Sequence, residues 1–139
     1  MMKLMISACL LGHNCKYNGR NNRNEKVLHL AADNPVIAVC PEVMGGLPTP
    51  RIPAEIRDGR VITKDGRDVD DASRKGARQC LEIALKEKPD RVILQSRSPS
   101  CGVKQHYDGT FSGRLTEGPG VTAELLIRSG FTVVDSDDI

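Results

Sequence analysis

An α/β fold with a mostly parallel sheet is the architecture this sequence predicts, on three observations. Short, nearly all-apolar runs such as Val36-Ile37-Ala38-Val39 and Val92-Ile93-Leu94 recur along the chain, as they do in strands covered on both faces. Stretches with helical spacing of apolar residues lie between them, the alternation that puts helices on both faces of a parallel sheet. A length of 139 residues matches one domain, spanning 1–139.

The elements follow in order. Lys3 to Ala8 is a short apolar run that ends in small residues and then meets the turn signals Gly12, Asn14 and Asn18-Gly19, so it reads as a buried strand entering a loop. Asn24 is placed to cap a helix through Ala32, which Asn34-Pro35 breaks. Val36 to Val39 is the second buried strand and ends at Cys40-Pro41. From Gly45 to Pro53, two glycines and three prolines in nine residues exclude helix and central strand; an ordered loop of this kind tends to be functional. Ile56 to Thr63 predicts a small hairpin, with Asp58-Gly59 and Asp65-Gly66 as turns. Asp70 or Asp71 opens the clearest helix, which runs to about Lys88 with Ala77, Cys80, Leu81, Ala84 and Leu85 on one face. Arg91 to Gln95 is the third buried strand and empties into Ser96 to Gly102. Tyr107 to Gly113 reads as a glycine-punctuated loop. Gly118-Pro119-Gly120 opens a last helix, Val121 to Ser129, closed by Gly130, and Phe131 to Val134 is a final strand. The whole is a single-domain, three-layer, Rossmann-like fold with a small hairpin. Ligands in such sheets sit beyond the carboxyl ends of the strands.

Composition narrows the function classes. Twenty basic against 18 acidic residues leave a net charge of +2, too small to argue for strong nucleic-acid binding. With no Trp, two Tyr and two Phe, a stacking platform for single strands is excluded. No run reaches the roughly 18–20 apolar residues of a membrane span. The apolar stretch from Leu4 to Leu11 is short, broken by Ser7 and preceded by only one basic residue, Lys3, so it is read as a strand of a cytoplasmic protein and not as an export signal. Five cysteines, an odd number, fit metal binding or catalysis better than a disulfide framework. The oligomeric state stays open, a homo-oligomer included.

Cys9, Cys40 and Cys101 each fall just after the carboxyl end of a predicted strand, so the fold collects them at the ligand-binding edge although 31 and 61 residues separate them in sequence. Cys15 lies in a polar loop and is either a further ligand or a neighbouring thiol that orders the loop. Cys80 sits on an apolar helix face and reads as core. Paired C-x-x-C knuckles of zinc sites are absent. Thiols reaching one point from separate strands fit an iron–sulfur cluster, which four would saturate and three would leave with an open iron. Glu42 lies two residues after Cys40, and Ser98 and Ser100 lie just before Cys101; these groups are placed to move protons or to hydrogen-bond cluster sulfurs. Arg51 in the proline-rich loop is placed to clamp an anion. Asp108 belongs to a Tyr-Asp-Gly turn and is carried as a substrate-side candidate. His13, His29 and His106 are scattered, without metal-ligand spacing.

Four blocks carry a resemblance: Ile6-Ser7-Ala8-Cys9-Leu10-Leu11-Gly12, Val39-Cys40-Pro41-Glu42 continuing to Pro50-Arg51, Ser96-Arg97-Ser98-Pro99-Ser100-Cys101-Gly102, and Tyr107-Asp108-Gly109-Thr110-Phe111-Ser112-Gly113. Together they resemble the domain-of-unknown-function 523 (DUF523) family, which includes the thiouracil desulfurase (desulfidase) enzymes, over essentially the whole chain. The resemblance implies an α/β fold and a [4Fe–4S] cluster held by only three cysteines. It implies removal of sulfur from a thiolated pyrimidine, such as 2-thiouracil, without net redox change. On the matching positions, Cys9, Cys40 and Cys101 are the implied ligands, with Cys15 placed second, and Glu42 and Ser98 the acid–base and positioning pair. Lys16 and Asn18 depart from the common Arg and Asp of one block, and Gln95 from a frequent Lys; these leave substrate preference open. Two rival readings stand beside it. One is a non-catalytic metal or iron–sulfur protein. The other is a cluster-free module that binds an anion at the Gly118–Gly120 helix start and Arg51.

Overall fold

The computed structural model describes residues 1–139. Its centre is a parallel sheet of four strands: β1 (Leu4–Ser7), β2 (Val36–Val39), β5 (Arg91–Leu94) and β8 (Val133–Asp135), in the order β2-β1-β5-β8. The helices are α1 (Glu25–Ala32), α2 (Pro41–Met44), α3 (Asp70–Glu87) and α4 (Val121–Arg128). Two antiparallel hairpins, β3 (Ala54–Arg57) with β4 (Arg60–Thr63) and β6 (Gln105–Tyr107) with β7 (Leu115–Glu117), stand outside the sheet.

The central strands are apolar because both faces are covered. Met5, Val92 and Leu94 pack on Cys80 and Ala84 of α3 and on Ala123 and Leu126 of α4. Their sequence neighbours Leu4, Ile6 and Ile93 point the other way, onto Leu10 and on Val27 of α1. Adjacent residues thus serve opposite layers, as strand geometry dictates. The expected three-layer arrangement is present. β2 differs from the fully buried strand predicted: it pairs only with β1, and Ala38 is exposed. Leu85, placed on the inner face of the long helix by periodicity, is 57% exposed; Ala77, Cys80 and Ala84 turn inward instead.

Local chemistry explains the boundaries. Asn24 caps α1, its side chain accepting from the Val27 amide at 3.1 Å. Asp58 and Gly59 adopt left-handed φ of 51° and 78°, the pair that a tight two-residue hairpin needs. The β6–β7 hairpin is new: the sequence offers there only a loop, because three-residue strands are too short to show alternation. α2, a helical turn directly after Cys40, also escaped the sequence reading. A Cβ on Gly76 would stand 1.8 Å from the Pro41 carbonyl oxygen, and one on Gly45 2.0 Å from that of Ala72. α2 and α3 therefore meet backbone to backbone, which fixes the end of β2 and with it Cys40.

The chain crosses from β2 back over β1 to β5, so the order reverses between β1 and β5. That reversal opens a crevice at the carboxyl ends of the strands. No helix is long and apolar enough to cross a membrane.

Candidate active site

Beyond the β1 and β5 ends lies a cavity of about 500 Å³, lined among others by Cys9, Cys15, Cys40, Cys101, Glu42 and Ser98. Its volume is that of a small-molecule site. A second, more open depression of about 630 Å³ near the start of α1 carries no thiol.

Each thiol arrives by a different route. Cys9 sits in a 3-10 turn, Ala8–Leu11, that follows β1 and ends at Gly12, φ 95°. Its sulfur accepts from the Asn22 amide nitrogen at 3.5 Å, and its carbonyl from the Asn22 backbone at 3.0 Å. Cys40 ends β2, and its thiol donates to the Cys15 carbonyl at 3.8 Å. Cys15 therefore reaches the cavity because the loop after β1 folds back on itself, a placement its position in sequence does not announce. Its side chain lines the same cavity as those of Cys9 and Cys40, and the three thiols shift one another's titration. Cys101 also lines the cavity, but its thiol is fully enclosed beside Ser7.

The electrostatics separate these groups. The Cys15 S–H, with the Asn22 amide helping, lowers the Cys9 thiol below its ordinary value against the effect of burial. The same S–H holds Cys40 down at about 7. Cys15, shared between Cys40 and Cys9, keeps its proton well beyond the usual thiol range. Burial pushes Cys101 far up, and burial pushes Cys80 to about 12. Two thiols shifted toward the thiolate, beside a third sulfur, form a soft donor set of the kind that holds iron. No three of these side chains converge on one point as bound ligands would.

Glu42, in the first turn of α2, stands beside this set, 20% exposed, and pairs with Arg51 at 3.3 Å. Arg51 is more than the anion clamp expected. Its guanidinium also donates to the Cys15 carbonyl at 3.1 Å and to the Pro48 carbonyl and Thr49 hydroxyl, both at 3.2 Å, and its backbone amide donates to the Tyr17 carbonyl at 2.7 Å. It ties the Cys15 loop, Glu42 and the proline-rich segment together. Its Nε is buried without a partner. Ser98 accepts two backbone amides, from Ser100 at 3.1 Å and Cys101 at 3.0 Å. Its hydroxyl donates to no other group of the protein, and the residue lines the cavity.

Two expected substrate-side residues stand elsewhere. Ser100 is buried, with its hydroxyl bonded to that of Thr122 at 2.7 Å, because the Pro99–Ser100 turn packs onto the start of α4. Asp108 is at the surface, accepting from the Thr110 amide and hydroxyl; the latter bond holds its carboxyl below the usual range. The Gly118–Gly120 helix start does not present free amides either. Val121 donates to the Pro99 carbonyl at 2.9 Å, and Thr122 and Ala123 to that of Ser100 at 2.8 and 3.1 Å. An anion module built on that helix start has lost its donors.

Sequence reasoning missed the aromatic lining. Tyr17, Tyr107 and Phe111, three of the four aromatic residues of the chain, face the cavity; only Phe131 packs against the core. The signal was available in their scarcity, since so few rings in loops, away from the core, ask for a reason.

A family model described as 2-thiouracil desulfurase matches residues 4–138. An uncharacterised protein of Bacillus subtilis, YbbK, is 38% identical, with 98% of this chain and 97% of the relative covered. The solved structure of a [4Fe-4S]-dependent thiouracil desulfidase, TudS, superposes with a TM-score of 0.94 at 38% identity, covering 100% of this chain and 93% of that one. The chain belongs to the 2-thiouracil desulfurase family.

Proposed function

We propose that this protein exchanges the sulfur of a thiolated pyrimidine such as 2-thiouracil for oxygen, by hydrolysis, with Cys9, Cys15 and Cys40 holding a [4Fe–4S] cluster. The observation that carries the reading is the sharing of one cavity by the Cys9, Cys15 and Cys40 thiols, the Glu42 carboxylate and the Ser98 hydroxyl. The ligand set expected from strand ends is revised in one place. Cys15 joins Cys9 and Cys40 because the Cys40 thiol lies against the Cys15 carbonyl and all three side chains are only half-buried, while the Cys101 thiol is buried in the wall.

When bound, a cluster with one iron not held by protein supplies a soft Lewis acid for the thiocarbonyl sulfur. The residues do the rest. The rings of Tyr17, Tyr107 and Phe111 offer flat surfaces for a heterocycle, in the offset or edge-on contacts that such rings favour. Glu42, held in place by Arg51, takes a proton from the water that attacks the ring carbon. Ser98, its oxygen already occupied by two amides, donates its hydroxyl proton to a ring or leaving atom. The exchange consumes water and yields a carbonyl and sulfide, with no electron gained or lost.

Anaerobic reconstitution with iron and sulfide, followed by assay of sulfide release from 2-thiouracil, tests this. Iron-dependent sulfide release by the wild type is expected, and its loss in Cys9→Ala. A fully loaded protein that leaves 2-thiouracil intact would overturn it in favour of a non-catalytic iron–sulfur protein.

A further inference from the structure

The aromatic wall of the cavity is tied down by a carboxylate of the other hairpin that lines the same cavity. Tyr107 ends β6 and Phe111 lies in the loop that joins β6 to β7. This hairpin pairs with no other strand of a sheet. What ties its tip down is Glu55, on β3 of the other hairpin. One carboxylate oxygen of Glu55 accepts the Gly109 amide at 3.0 Å and the Phe111 amide at 3.1 Å. Bonds from two amides to a charged acceptor are among the stronger local ties a surface hairpin can make.

The contact carries strain that identifies it as built. Phe111 adopts φ of 54°, a left-handed conformation that a bulky residue takes only when its surroundings impose it. Gly109, at φ 91°, approaches β3 so closely that a Cβ would stand 2.7 Å from the Ile56 carbonyl oxygen. Without the Glu55 carboxylate, Phe111 loses the partner of its amide and relaxes toward extended backbone. Its ring then leaves the cavity.

We infer that Glu55 is a positioning residue for ring binding: by fastening the Gly109 and Phe111 amides, it sets Phe111 against the flat face of the substrate heterocycle. The inference rests on the desulfuration reading for the identity of the ring, and it adds the residue that shapes the pocket for a planar ligand.

The test uses the anaerobically reconstituted protein. Glu55→Ala is expected to raise KM for 2-thiouracil about tenfold, the loss of one base–aromatic contact, with kcat within about twofold and iron content unchanged. Phe111→Ala should match it, and the double variant should be no worse than Phe111→Ala alone, since both remove one interaction. Glu55→Gln, whose amide oxygen still accepts, should restore KM. In hydrogen exchange, the Gly109 and Phe111 amides should lose protection in Glu55→Ala and keep it in Glu55→Gln. An unchanged KM in Glu55→Ala, an additive double variant, or unchanged protection overturns the inference. If the wild type releases no sulfide, the desulfuration reading fails. Calorimetric titration with uracil then decides the positioning role by itself: weaker binding in Glu55→Ala upholds it, equal binding or no binding by the wild type overturns it.

Discussion

Cys40 ends an edge strand and Cys80 lies in the middle of α3, and the two thiols are pushed in opposite directions. Cys40 is held at about 7, first by the Cys15 S–H. Cys80 is pushed to about 12 by burial and touches only apolar neighbours and the Met44 sulfur, at 3.7 Å. The residue type is the same, so the role comes from what each region supplies. The loops beyond the sheet supply donors and a cavity, and the core supplies neither. Only the first region can offer a thiolate to a metal at neutral pH.

The sharpest way to break that contrast is to remove the rim thiols one at a time. Cys9→Ala, Cys15→Ala and Cys40→Ala should each lose most of the bound iron after anaerobic reconstitution, and sulfide release should fall to background. Cys101→Ala should keep its iron, as should Cys80→Ala. Iron quantitation and the visible spectrum decide it. A protein that keeps iron without Cys15 and loses it without Cys101 would return the ligand set to the three strand-end cysteines.

Next in size is the carboxylate beside the thiols. Glu42→Gln keeps the shape of the side chain and loses the base, so kcat should drop by about 100-fold with iron unchanged. Equal kcat would remove Glu42 from proton transfer and leave it as the partner of Arg51.

A third prediction crosses from the core to the rim. Gly76→Ala forces a Cβ against the Pro41 carbonyl, and overpacking of this kind costs about 3 kcal/mol. The midpoint of urea unfolding should fall accordingly. Because Pro41 follows Cys40 directly, iron loading should fall as well, even where the chain is folded. A loss of stability with normal loading would show that the α2–α3 contact supports the core alone.

The two regions were unequally legible in the sequence. The core was readable because Leu4–Ile6 and Val92–Leu94 state their burial in composition, and Asn24 states the start of α1. The strand-end cysteines were readable because topology alone brings them together. Cys15 was readable only as one of two alternatives, a ligand or a neighbouring thiol, since its place in the cavity depends on a loop closed by Arg51 from 36 residues away. Ser100 and Asp108 were misplaced for the opposite reason. Each belongs to a motif rich in polar groups, and nothing in a motif says which hydroxyl or carboxylate is turned inward to its own backbone. Glu55 was invisible because its partners lie 54 and 56 residues ahead.

The smallest effect is expected where the core thiol is left alone. At neutral pH Cys80 is protonated in both folded and unfolded chains, so it adds no pH dependence. Above the ordinary thiol value of 9.0 the unfolded chain gives up its proton first, because burial holds the folded group to about 12. The folded state then binds more protons than the unfolded one, and its stability falls as pH rises from 9.0 toward about 12. Urea midpoints of the wild type and Cys80→Ala, compared across that window, isolate the thiol from the lysines and tyrosines that titrate with it. The wild type should lose stability more steeply than the variant, while the two curves run parallel below pH 9.0. Parallel curves throughout would mean that Cys80 reaches solvent in the folded chain, and the separation between rim and core thiols would then be one of degree.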